Sequence, residues 1–168
     1  MSMIVAASRS LPLVLLFAFA PSLHAQNCTG TIAANINSVS VSTGGVQLID
    51  LTVAPSQFDL QWQIIGSFGT NTPTPWFSYG GLNLNLDRYM FRMLNGHGGF
   101  VHGAINGYIG GPLIPFNTAG QAQLQVVIPQ GLSSHFIGKT LHHGMYYTSQ
   151  ISLLPTCGTP TVALTLLP

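Results

Sequence analysis

The sequence predicts an all-β fold: a single antiparallel β-sandwich, Ig-like or jelly-roll-like, behind a cleavable signal peptide, with a small β-barrel as the alternative. Three observations predict it. Two stretches alternate apolar and polar residues with period two, namely Phe58, Leu60, Trp62 and Ile64 against Asp59, Gln61 and Gln63, and Ala122, Leu124, Val126 and Ile128 against Gln121, Gln123 and Gln125. Short apolar runs elsewhere are separated by Gly, Pro, Asn and Thr, the residues of turns. Apolar residues at helical spacing with caps are missing after residue 25, so no helix is expected. Turn spacing gives about seven to nine strands, and a barrel would bury the same alternation.

The first element is not part of the domain. Leu11 to Ala20 (LPLVLLFAFA) follows Arg9 and is too short to span a bilayer. Pro21, Ser22 and Ala25 complete a secretory signal pattern. Residues 1–25 are therefore expected to be removed and 26–168 to form one domain, secreted or held at the cell surface, with no membrane span after signal removal.

Along that domain, Ser38 to Ser42 and Val46 to Val53 flank Gly44-Gly45 and read as a hairpin. Phe58 to Ile65 is a core strand, and Gly66 to Pro75 a loop. Leu82, Leu84 and Leu86 alternate with Asn83, Asn85 and Asp87. Beyond Arg88 the apolar residues Tyr89, Phe91 and Met93 take the opposite parity, which predicts a bulge or turn at Asp87-Arg88. Asn95-Gly96 and Asn106-Gly107 suit two-residue hairpin turns. The alternating strand that ends at Ile128 is stopped by Pro129, which has no N–H to give to a ladder. A strand follows through Phe136 and Ile137, or through Thr140 to Ser152, and Thr161 to Leu167 closes the chain.

Charge narrows the function. Charged residues make up 4% of the chain, against about 25% in an ordinary soluble protein. Removing Arg9 from a formal net charge of +1 leaves zero. A nucleic-acid binder that rests on a basic patch is excluded, because neutralising phosphates takes several lysines or arginines. Net charge also keeps copies of a protein apart. Its absence favours an assembled or coat-like existence.

Cys28 and Cys157 are the two cysteines, and in an exported chain they are expected to form a disulfide. Free thiols or metal ligation are the other readings. Catalysis finds little support. Asp50, Asp59 and Asp87 are the only acids, and Asp59 and Asp87 read as solvated surface groups. A G-x-S-x-G elbow is missing, and Ser134-His135 would point to opposite faces of a strand. No catalytic residue, metal site or cofactor is assigned. His97, His102, His135, His142 and His143 read as exposed or hydrogen-bonded structural histidines, because a metal would need about three of them to converge. Trp76, Phe77 and Tyr79, beside a Pro-rich loop and Gly80-Gly81, could form an aromatic platform for sugar rings. Alternatively Trp76 and Phe77 plug the end of the sandwich as large aromatics commonly do.

Ala119-Gly120, an alternating strand ending in Ile128-Pro129, then Leu132, Ile137-Gly138 and a strand from Thr140-Leu141 to Tyr147 form a pattern, with Gln150 beyond it. It resembles the C-terminal part of small exported bacterial β-sandwich domains of unassigned function. The resemblance covers about the last third of the chain and implies a fold and an export route; it carries no catalytic residue. The reading that follows is a non-catalytic exported structural or interaction protein at the bacterial cell surface, partnered by copies of itself or other surface proteins. The alternatives are a carbohydrate-binding module acting on polysaccharide and, third, a secreted hydrolase.

Overall fold

The computed structural model describes residues 30–57, 60–69, 77–79, 82–95, 99–105, 111–148 and 155–168, with backbone alone at 77–79, 83, 148, 155 and 156. These residues are mostly β. Eleven strands are present: β1 (Thr31–Ala34), β2 (Ser38–Ser40), β3 (Gly45–Thr52), β4 (Trp62–Ser67), β5 (Phe77–Tyr79), β6 (Leu82–Leu84), β7 (Val101–His102), β8 (Gln121–Ile128), β9 (Thr140–Thr148), β10 (Pro155–Gly158) and β11 (Val162–Leu167). One helix, α1, spans Arg88–Leu94.

The first sheet has the order β1-β3-β8-β7 and is antiparallel throughout. In β8 the predicted alternation holds. Leu124, Val126 and Ile128 are buried while Gln121, Gln123 and Gln125 are exposed. The second sheet is built around β9, which pairs β4 along one flank. On its other flank β11 pairs the first half of β9 and β10 the second. β2 then joins β11 in parallel, so this sheet is mixed where an antiparallel one was expected. Among the described residues neither sheet closes on itself, which removes the barrel.

The largest hydrophobic cluster draws on both sheets, with Ile49 and Leu51 of β3 and Leu124 and Val126 of β8 meeting Trp62 and Ile64 of β4, Leu141 and Met145 of β9, and Leu164 and Leu166 of β11. A smaller cluster lies on the other face of the second sheet, where Ile65 and Tyr146 meet Leu82, Leu84 and Met90. Two faces of β4 and β9 are therefore covered. This explains a misreading of β4. The Gln63 side, expected to be wet, is 5% exposed, and all of Trp62–Ser67 is buried. Leu60, expected in the core, is 37% exposed, while Phe58 and Asp59 lie outside the described residues.

Three further expectations are corrected. β2 and β3 are not a hairpin: the turn at Gly44, whose φ is +71° and whose N–H donates to Ser40, carries the chain from the second sheet to the first. Glycine is needed there because an added Cβ would lie 2.6 Å from the Ile128 carbonyl oxygen. The Phe136 region is a single 3-10 turn, Ser134–Phe136, not a strand.

The third correction is α1 itself. Asp87 accepts from the Met90 N–H as N-cap, and the Asn95 amide donates back to the Phe91 carbonyl. Tyr89, Met90 and Met93 are buried but Phe91 is 61% exposed. A strand of the expected parity would have placed Tyr89, Phe91 and Met93 together, so the helical period governs. The Asn95 that read as a hairpin turn is the helix C-cap; Asn106-Gly107 lies outside the described residues. No helix among the described residues is long and apolar enough to cross a membrane.

Candidate functional site

Polar chemistry concentrates where α1 meets the end of the second sheet. On β9, Leu141, His143 and Met145 share the inward face, and His143 is 0% exposed. Its Nε2 lies 2.8 Å from the hydroxyl of Tyr89 on α1, also buried. The contact requires two glycines. A Cβ on Gly66 would sit 2.6 Å from His143 Cδ2 and 2.8 Å from Tyr89 Cε1, and a Cβ on Gly99 would strike the other edge of the Tyr89 ring. Phe100 stacks on that ring at 5.7 Å, and Phe68 tilts against it at 5.5 Å.

Burial sets the ionisation of both partners. The Tyr89 hydroxyl is raised well above its ordinary value, first by desolvation, with the Asp87 carboxylate adding to the effect against a hydrogen bond from the Phe100 backbone. His143 is lowered to about 3, by desolvation and then by His142. It is thus a neutral imidazole, and its Nδ1 has no hydrogen-bond partner. Such a pair, closed off from solvent, ties α1 to β9.

Beside it, Asp87 is committed to structure. Oδ1 caps α1 through Met90, while Oδ2 accepts from the Phe68 N–H at 2.6 Å and from the Ser67 hydroxyl at 2.9 Å. The sequence had placed Asp87 on a solvated strand face; it is a half-buried clamp between α1 and the end of β4. Nearer the surface, Lys139 Nζ stands 5.9 Å from the ring centroids of Phe68 and Phe136 and 3.0 Å from His135 Nε2.

A second polar region is the outer face of the first sheet. Gln123 Nε2 donates to Asp50 Oδ1 at 2.8 Å. Asp50, Thr52, Asn117, Gln121 and Gln123 line a shallow groove of about 560 Å³. Asp50 is exposed and paired with an amide, not an arginine. Amides, a hydroxyl and one carboxylate suit a ligand rich in hydroxyl groups.

Of the residues singled out by sequence, Trp76 lies outside the described residues. Phe77 and Tyr79 belong to β5 and stand opposite Leu84 and Leu82 of β6. Cys157 is buried at 3% exposure and is not a free cysteine; Cys28 lies outside the described residues, as do Asp59 and His97. His102 and His135 are exposed, and His142 half-buried. Among the described residues no three His, Cys, Asp or Glu side chains are grouped as a metal site would need. The Tyr89–His143 pair was missed because its members are far apart in sequence and Tyr89 read as a strand residue. The one available signal was that His143 shares the parity of Leu141 and Met145. No protein-family model matches the chain, and no curated protein matches it.

Proposed function

We propose that the two sheets pack as a β-sandwich and that the chain is a non-catalytic structural or interaction protein, exported after loss of residues 1–25 and working at the cell surface by associating with copies of itself or with other surface proteins. The sandwich reading rests on the single hydrophobic cluster fed by both sheets. The functional reading rests on one observation about the surface. Eight large apolar side chains are exposed among the described residues, including Phe91 at 61%, Ile105 at 57% and Leu86 at 50%. Against them stand Asp50, Asp87, Arg88, Arg92 and Lys139, the only formally charged side chains among the described residues. A surface so poor in charge offers little repulsion to another copy. Light scattering on the exported protein tests this: mass rising with concentration supports it, and a monomer at every concentration overturns it.

A carbohydrate-binding role is the second reading, favoured by the amide-lined groove around Asp50 and Gln123. Retention on neutral polysaccharide, lost in Gln123→Ala, would support it over self-association.

A further inference from the structure

We infer that β1 is the edge through which two copies of this chain join, antiparallel, into one continuous sheet; this rests on the self-association proposed above and names its surface. The pairing pattern of the first sheet carries the inference. The Asn35 N–H donates to the Leu48 carbonyl and the Val53 N–H to the Gly120 carbonyl. With the registers Ala34↔Ile49 and Leu51↔Ala122, the alternation of an antiparallel ladder makes Thr31 and Ala33 the β1 residues bonded to β3. Ile32 and Ala34 therefore turn their N–H and C=O groups to the open flank, where no described residue bonds them.

Exposed edges in natural sheets are commonly blunted by lysine, proline, a bulge or an inward charge. Thr31–Ala34 has none of these, and its register with β3 is unbroken. The opposite edge, β7, is only two residues long. Beyond the end of β1 runs a groove of about 400 Å³ lined by Ala34, Asn35, Ile36, Asn37, Val162 and Ala163, all uncharged, with Ile36 38% exposed.

The occupant that fits is β1 of a second copy, because the edge is complementary to itself. If a twofold axis passes beside Ala33, Ile32 of one copy faces Ala34 of the other, and each such pair exchanges two N–H···O=C bonds. All four outward groups on each copy are then satisfied. Ala33 meets its own equivalent as a non-bonded pair, the closer kind, and its methyl group leaves room for that approach. The two four-stranded sheets become one sheet of eight.

The test uses the full chain, exported and purified, and reads solution mass together with amide exchange. Ala34→Pro removes an outward donor, a position where an edge strand tolerates proline. Ala33→Lys sets two like charges opposite each other in the assembly, while within one copy it faces Asp50. Gln130→Lys, a charge on an exposed polar residue just past the end of β8 and remote from the β1 edge, is the control. We expect the wild type to assemble, both β1 variants to weaken assembly at least tenfold, and Gln130→Lys to leave it unchanged. In the wild type, exchange at Ile32 and Ala34 should slow at least tenfold on assembly, with a smaller change at Thr31 and Ala33. This second readout needs no variant to fold. An assembled wild type whose Ile32 and Ala34 amides stay unprotected overturns the β1 edge and leaves self-association standing; a wild type that is monomeric throughout overturns both.

Discussion

The hydroxyl of Tyr89 lies 2.8 Å from Nε2 of His143, with both side chains buried, and this contact fastens α1 to the inner face of β9. Tyr89→Phe leaves the ring packing and removes the hydroxyl, stranding a buried nitrogen. We expect a loss of about 1–3 kcal/mol, measured by urea unfolding. Adding His143→Leu to Tyr89→Phe should cost less than the sum of the two single changes, since no polar group is then left alone.

The same histidine sets an acid limit. His143 in the folded chain is lowered to about 3 from an ordinary value of 6.5, so the unfolded chain takes up its proton first. Stability contributed by the neutral imidazole is complete above pH 6.5 and falls as pH drops toward 3, by up to about 1.4 kcal/mol per pH unit for one proton. His142, lowered by partial burial, acts in the same direction. His143→Leu should therefore flatten the urea midpoint between pH 6.5 and 4 relative to wild type. An unchanged slope would place the proton uptake elsewhere.

Asp87 holds three groups at once: the Met90 and Phe68 N–H groups and the Ser67 hydroxyl. Losing an N-cap alone costs about 1 kcal/mol, and leaving further donors unsatisfied adds to it. Asp87→Ala is expected to destabilise by about 2–3 kcal/mol, and Asp87→Asn by less, because its amide oxygen can still cap. Denaturation midpoints with helix content by circular dichroism check both.

How far the sequence could be read follows from which faces are covered. β8 was legible because one face is core and the other water, so Leu124 and Val126 alternate cleanly with Gln123 and Gln125. β4 was not, since the second cluster covers its outer face and buries Gln63 and Ile65 as well as Trp62 and Ile64. α1 was hidden by its shortness: over seven residues, Tyr89, Phe91 and Met93 satisfy a strand period, and the burial of Met90 together with the exposure of Phe91 separates the two readings. β1 was passed over because Thr31–Ala34 carries little apolar contrast. At the site, Asp87 and His143 were visible as residues, but their partners depend on chain crossings that no local pattern encodes.

Cys28 and Cys157 are expected to be joined. The intact mass of the purified protein should fall about 2 Da below that of its reduced form, and a peptide map should link the two residues. A bridge closing so long a loop stabilises by roughly 4–5 kcal/mol in the chain-entropy model, so reduction should lower the urea midpoint sharply. Two free thiols in the protein purified under oxidising conditions would contradict the pairing.

The mass of the purified protein by light scattering, across concentration and salt, tests self-association most directly. Association through uncharged edges and exposed apolar side chains predicts species above the monomer that grow with concentration and persist at high salt, because burial of apolar surface and backbone pairing are not screened. A strict monomer up to high concentration would contradict the structural role, and turn attention to the groove around Asp50 and Gln123.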